Sequence, residues 1–553
     1  MKSSCSYLVS ALRPILILVL AILFACSDSS DKKPVSVPDA PTNLAATPAS
    51  LEVTLSWNPV PAATSYNLYW STSSGVTKAT GTKVSDVMTG YLHTGLTNGI
   101  THYYVVTAVQ GGGESVESTE ASATPENAGI LDTSFGGTGI VVHNGAAGGD
   151  SGDRGEAIVV DSMGRILVAG GSGTTSFELD MTIWRFNDDG TFDTSFNGQG
   201  WITHAGAAGG PGGDDVGIDL TLDGAGRIVV AGTSAFDVGN SDAVVWRYLD
   251  DGSLDMTFGA GGFVVHRDAA GGGGNDHARA VAIDSAGNIL VTGFSDNGVN
   301  SDMVLARFLD DGSLDTGFAG SGVVISDGTG GASGNEVGRD VVIEPAGRIL
   351  VVGTGVNSSG DTDLTIWAYE PTGVLDFTYG LGGFLVEDSA AGGMADDEGF
   401  EGVLDVSGNL LVGGYSWSPT SIDTTVWKVL SSGNLDTSFG VGGAFWHHNA
   451  AGGAGNDYGR GLALDLAGKI NVVGYSYGGA ATGQDAAIWR VTATGGLDTS
   501  FGGMGWVVHH DAAGGGGDDI ILGTTIDLRG RIVATGWSIN ATPNLDMVVW
   551  RYR

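Results

Sequence analysis

Between Leu131 and Arg553 the chain writes one phrase seven times. The phrase opens at Leu131, Phe192, Leu254, Leu314, Leu375, Leu435 and Leu497, a period of 60 to 62 residues. A unit of that length built from short strands cannot bury its own apolar faces, so it shelters them against neighbouring copies. Seven copies in series predict a ring. Each unit has four short apolar segments, which in the first copy are residues 140–143, 157–161, 165–170 and 181–186.

Segments 157–161 and 165–170 are joined by Asp161-x-x-Gly164, which returns as Asp223 with Gly226 and as Asp465 with Gly468. The acid accepts from turn amides and the glycine takes the left-handed conformation that closes a hairpin, so this motif is structural. The fold class expected is all-β: a seven-bladed β-propeller of four-stranded blades over residues 126–553, preceded by a smaller β-sandwich over 41–125. If segment 157–161 is innermost, segment 140–143 becomes the outer edge of the last blade. The chain then latches its own circle and leaves no raw edge. The other order puts 140–143 innermost and closes the ring by packing alone.

Charge limits the partners. Acids outnumber bases 62 to 24, for a net charge of -38. Such a chain repels phosphate backbones and anionic headgroups, which excludes nucleic acid and leaves divalent cations or cationic surfaces open. The N-terminus reads as an export signal over residues 1–25: Lys2 and Arg13, an apolar run over 15–24, and small Ala25 before Cys26. Cys5 leaves with that leader, so Cys26 is the only thiol of the exported chain and no internal disulfide is expected. Leu23-Phe24-Ala25-Cys26 resembles the lipobox of bacterial lipoproteins. That resemblance implies lipidation of Cys26, cleavage before it and a lipid anchor to the membrane; Ser27 in the next position implies the outer membrane. Residues 26–40 are polar and aperiodic, and form a tether.

Residues 51–57 alternate apolar and polar, as do stretches near Tyr66 and Tyr103, with turns at Pro59, Pro61 and Asn98-Gly99. The order Pro38-x-x-Pro41-x-x-Leu44, Leu55-Ser56-Trp57, Tyr66-x-Leu68-Tyr69-Trp70 and Leu96-x-Asn98-Gly99 resembles a fibronectin type III module. Trp57 is expected in its core, and His102 stands where that family places its corner tyrosine. From residue 126 onward, Leu131-Asp132-x-x-Phe135-Gly136, the glycine-bounded stretch 164–170 and Trp184-Arg185-Phe186-x-x-Asp189-Gly190 resemble the bacterial delta-60 repeat, and more distantly NHL repeats. The likeness implies a β-propeller on surface or secreted proteins and carries no catalytic residue with it.

Several repeated side chains bear chemistry. Eight residues before each hairpin acid stands another acid: Asp153, Asp215, Asp276, Glu336, Asp397, Asp457 and Asp519. Rimming one mouth of the channel on glycine-rich loops, they would suit calcium. Alternatively each caps backbone amides in its own blade-to-blade crossing, which sevenfold recurrence favours because a site breaks symmetry. His143, His204, His266, His447 and His509 share one slot, filled by Ser326 and Glu387 in the other two repeats; hydrogen bonding to a neighbouring acid is expected there. Asp180, Asp242, Asp302, Asp363, Asp423, Asp485 and Asp546 read as turn acids, and Trp184, Trp246, Trp367, Trp427, Trp489 and Trp550 as core between blades.

Function is expected where the repeats differ. Tyr415, Trp417, Tyr475, Tyr477 and Trp537, in the loops after segment 165–170 and its equivalents, either stack on sugar rings and grip peptides or are ordinary surface aromatics. No nucleophile elbow, zinc-protease motif, phosphate loop or sialidase box occurs. The primary expectation is therefore a surface-anchored, non-enzymatic binding or scaffold lipoprotein that presents a recognition face to protein or glycan, with no catalytic residue and no cofactor unless calcium. The alternative is a propeller hydrolase, lyase or dehydrogenase with a cation in the channel. An asymmetric cluster of perturbed channel carboxylates marks the enzyme; equivalent, satisfied acids in every blade mark the scaffold.

Overall fold

The computed structural model describes residues 37–49, 52–125, 127–149, 152–209, 212–237, 240–329, 334–393, 395–453, 455–479 and 483–553. The export signal, Cys26 and the first part of the tether lie outside the described residues. Every regular element among them is a strand. The chain divides into two compact units, the larger of which contains Ser122–Arg553.

Near the N-terminus, Thr42–Ala49, Glu52–Asn58 and Tyr91–Thr94 form one sheet. Thr82–Val87, Ser65–Ser71, His102–Gln110 and Gly113–Glu114 form another, with Ala121–Ala123 paired to His102–Gln110. The alternation read over 51–57 is realised, since Val53, Leu55 and Trp57 are buried between exposed neighbours. Trp57 meets Tyr66 edge-on at 5.3 Å. His102 Nδ1 donates to the Ile100 carbonyl at 2.8 Å.

From residue 140 the chain forms a β-propeller. Among the described residues there are seven antiparallel four-stranded sheets, each ordered inner, second, third and outer strand. The inner strands are Arg154–Val160, Asp215–Leu222, Asp276–Ile283, Val337–Ile343, Asp397–Leu404, Asp457–Leu464 and Gly514–Ile526. Each inner strand runs beside the next, and the first returns to the last. The outer strand of the seventh sheet is Ile140–His143, paired to Leu545–Tyr552 with Ile140 opposite Trp550 and His143 opposite Met547. The chain therefore latches its own circle, and the 157–161 segment is innermost.

Sheet-to-sheet packing follows from the apolar segments. Second strands such as Ile166–Gly173 are buried throughout. Trp246 of the second sheet is fully buried against Leu167, Ala169, Met181 and Ile183 of the first, and removing such a ring costs about 3–5 kcal/mol. The Asp161 turn closes as expected: Gly164 N–H donates to the Asp161 carbonyl at 3.0 Å with Gly164 at φ 82°. The Leu-Asp-x-x-Phe-Gly phrase also gains a physical reason. Arg247 is fully buried, its guanidinium 2.8 Å from Asp255 and 4.5 Å from the Phe258 ring, so the repeated aspartate neutralises a cation that the repeated phenylalanine stacks on. One expectation changes. The acids read as turn acids before the 181–186 segments head the third strands, where Asp242, Asp302, Asp363 and Asp546 are buried and face the crossing that leaves their own sheet. They keep a turn role in part, because Asn357 Nδ2 donates to Asp363 at 3.1 Å across the hairpin.

Candidate functional site: the channel mouth

Every inner strand carries a β-bulge at one place. Its register with the second strand slips across Glu156, Ile218, Arg279, Arg339, Phe400, Arg460 and Leu522. A bulge inserts a residue with no partner opposite and bends the strand, which re-aims side chains. Here they are aimed inward: all seven bulged residues line a single cavity of about 370 Å³. A glycine on the second strand makes room for the bulge. A Cβ on Gly474 would lie 1.8 Å from the Tyr458 carbonyl oxygen, so only glycine tolerates the inner strand folding over it.

The bulged position brings together three of the chain's 24 basic residues. Arg339 donates through Nη2 to Glu398 Oε2 at 2.8 Å, and nearby Arg154 pairs with Glu156 at 2.9 Å. Arg460 donates only to the Tyr475 hydroxyl, at 3.3 Å, and Arg279 has no hydrogen bond or ion pair among the described residues. Burial, then repulsion from Arg339, lowers Arg279 to about 10, so it remains a cation at neutral pH. Phe400 carries two of these charges, with Arg460 4.2 Å and Arg339 4.8 Å from its ring centre.

The residue after the bulge also faces the channel, and in three sheets it is acidic. Asp219 accepts from Val281 N–H at 2.8 Å, Asp340 from Gly402 N–H at 2.8 Å and Glu401 from Leu462 N–H at 2.7 Å. Each acid thus clips its own inner strand to the next one. Burial pushes Asp219 up to about 7 and Asp340 up to about 6; burial and then Asp340 raise Glu401 well above the ordinary glutamate value.

An aromatic shelf continues from the arginines. Tyr415 donates to Glu398 Oε1 at 2.7 Å; Tyr458 lies 5.1 Å from the Tyr415 ring and 4.7 Å from the Tyr475 ring. Tyr458, Tyr475 and Tyr477 line a second cavity of about 270 Å³ with Asn456 and Gln484. Of the five aromatics expected to bind ligand, the fold brings Tyr415, Tyr475 and Tyr477 together here. Trp537 occupies the equivalent slot of the next sheet, opposite Ile520, and Trp417 is exposed and lines neither cavity. Sequence reasoning missed Arg279, Arg339 and Arg460. Their signal was available, because the position three residues after each repeated acid holds five residue types in seven repeats.

The repeated acids themselves are buried, one per crossing. Gly145 N–H donates to Asp153 at 3.0 Å, Gly206 to Asp215 at 2.8 Å, Asp268 to Asp276 at 2.8 Å, Thr329 to Glu336 at 3.1 Å, Ser389 to Asp397 at 2.8 Å, Ala450 to Asp457 at 3.1 Å and Asp511 to Asp519 at 2.5 Å. A serine on the second strand takes a further loop amide, as Ala147 N–H to Ser172 Oγ at 2.9 Å. These acids therefore cap the crossings from within the wall and do not converge on the channel. In the histidine slot, His143 and His447 accept from Trp184 and Trp489 Nε1, each at 3.1 Å, so tryptophan is their partner; His447 also lies 3.6 Å from Asp457.

A channel of this kind, walled by inner strands and lined at bulges, belongs to a β-propeller. Residues 164–196, 226–258, 287–318 and 468–501 match the family described as Domain of unknown function (DUF5122) beta-propeller. No curated protein matches the chain. Among solved structures, a protein of unknown function from Dyadobacter fermentans is 10% identical over 75% of this chain and 97% of its own, with a TM-score of 0.41. The polysaccharide lyase Uly1 is 11% identical over 72% of this chain and 89% of its own, with a TM-score of 0.39. An Fn3-like protein from Clostridium thermocellum is 36% identical over 16% of this chain and 92% of its own, with a TM-score of 0.14.

Proposed function

We propose that this chain is an exported lipoprotein, anchored through Cys26, in which a fibronectin type III-like module over 41–125 precedes a seven-bladed delta-60-type propeller that binds an acidic glycan at its channel mouth. The observation that carries this reading is that Arg279 and Arg460, both lining the channel cavity, have no carboxylate partner among the described residues, with Arg460 beside the tyrosine shelf, in a chain of net charge -38. Uncompensated guanidinium groups in a half-buried site are costly unless an anion completes them, and their planar forks match carboxylate or sulfate. Tyr458, Tyr475 and Tyr477 supply faces on which sugar rings stack. The test is titration calorimetry of the full exported chain with hexuronate oligosaccharides and with neutral hexose oligosaccharides of equal length. Binding of the acidic series alone is expected, weakened about tenfold or more by each of Arg279→Ala and Arg460→Ala. Equal affinity for the neutral series, or no binding to either, refutes it.

One observation favours a second reading. Asp219, Asp340 and Glu401 are an asymmetric set of channel carboxylates with raised pKa values, and an acid near 7 suits proton transfer. On that reading the propeller cleaves the glycan that it binds. Mass spectrometry of the glycan after incubation separates the two: shorter products that disappear with Asp219→Asn favour the enzyme, and an intact glycan favours the binding module.

A further inference from the structure

Two of the seven crossings differ from the rest. In five of them the outer strand ends in His143, His204, His266, His447 or His509, followed by Asn144, Ala205, Arg267, His448 or His510. The residue after the histidine faces the aspartate that heads the third strand of its sheet; Arg267, for example, pairs with Asp242 at 2.5 Å. The third and fourth outer strands end instead in Ser326-Asp327 and Glu387-Asp388. Loss of the histidine and gain of the acid thus occur together, in the same two places, and replace a neutral or basic group by a third carboxylate.

We propose that these two crossings each bind a calcium ion, one held by Asp302, Asp327 and Glu336 and the other by Asp363, Asp388 and Asp397. In each group the three carboxylates bring oxygen atoms that all lie within 4.8 Å of one another. That span is twice a Ca–O bond of about 2.4 Å, as ligands around one ion require. The ligands come from three places: the head of a third strand, the crossing and the start of the next inner strand.

A second observation points to a cation. Glu336 and Asp397 are fully buried. One oxygen of each is occupied by a crossing amide, Thr329 N–H at 3.1 Å and Ser389 N–H at 2.8 Å. Of the others, Glu336 Oε2 is buried without a hydrogen-bond partner, and buried Asp397 has only the Ser416 hydroxyl beside it. A carboxylate oxygen left bare inside a protein is costly, and no lysine, arginine or histidine pairs with either group among the described residues. Asn297 and Asn357 fix the orientation of Asp302 and Asp363 at 2.9 and 3.1 Å. An all-oxygen donor set with one exposed member, open to water, fits calcium and not zinc or copper.

The test is equilibrium dialysis of the chelator-stripped full chain against radioactive calcium, with melting curves in parallel. Two ions per chain are expected. Asp327→Asn and Asp388→Asn, both at exposed positions, each leave one ion; the double variant binds none, keeps the wild-type circular dichroism and no longer gains melting temperature from calcium. Calcium binding that the double variant retains, or no binding by the wild type, overturns the proposal. A single ion lost with only one of the two substitutions overturns it for the other crossing.

Discussion

Asp219 holds the clearest test of how the channel is built. Its carboxyl takes up a proton at about 7 in the folded chain against 3.8 for a free side chain, so the folded state binds that proton more tightly. The sign follows: the cost of ionising Asp219 in the folded state is absent below about pH 4, grows as pH rises, and is complete above about pH 7. Three pK units at about 1.4 kcal/mol each give about 4 kcal/mol, and water in the channel screens this to about 2 kcal/mol. Asp219→Asn removes the charge while leaving an oxygen to accept from Val281 N–H. Urea unfolding followed by tryptophan fluorescence should therefore show the variant more stable than the wild type by about 2 kcal/mol at pH 8, and by less than about 1 kcal/mol at pH 5. A variant that is less stable at pH 8, or that keeps the wild-type dependence on pH, refutes the argument, because the charge-assisted hydrogen bond would then outweigh the cost of ionisation.

Other outcomes follow from the same structure. Arg247→Met takes the nearest cation from the buried carboxylate of Asp255, leaving Arg227 at 3.6 Å, and should lower stability by about 3 kcal/mol, as thermal melts would record. A chain lacking everything through His143 exposes the Leu545–Tyr552 edge and should self-associate on size exclusion, whereas one that keeps 127–143 stays monodisperse. The lipid anchor proposed at Cys26, a residue outside the described ones, predicts that Cys26→Ser moves the protein from the membrane to the soluble fraction, read by fractionation. If the channel binds an acidic oligosaccharide as proposed, its affinity should rise from pH 8 to pH 5.5, because Asp219 and Asp340 take up protons while Arg279 stays charged; titrations at the two pH values give the result.

The ring was legible because period and segment length are properties of the apolar pattern, and the latch followed from where that pattern begins and ends. Trp184 and its equivalents were legible for the same reason: a large apolar ring at a fixed register has nowhere else to go. The bulge was not. It arises from the absence of a side chain, at Gly474 and its equivalents, and glycine in a strand reads equally as a turn, a close approach or a bulge. Without the bulge, Arg279 and Asp219 fall on no predictable face, and alternation alone sends consecutive residues to opposite sides. Symmetry drew attention to the repeated acids for their recurrence, although it was that recurrence which marked them as part of the frame.

A ring of equal units imposes a difficulty that this channel resolves by breaking its own repeat. Seven copies of any charged residue at the bulge would crowd like charges around one axis, with nothing inside to separate them. The bulged residue is free to vary because it has no partner in the ladder. The chain uses that freedom to place arginine in the third, fourth and sixth sheets and acids one residue further on in the second, fourth and fifth. If those three acids ionise, negative charge exceeds positive at the two channel positions; if they hold their protons, the arginines prevail over Glu156 alone. The raised values at Asp219, Asp340 and Glu401 thus do more than record burial, since they let the charge balance at these two channel positions turn from negative to positive as pH falls.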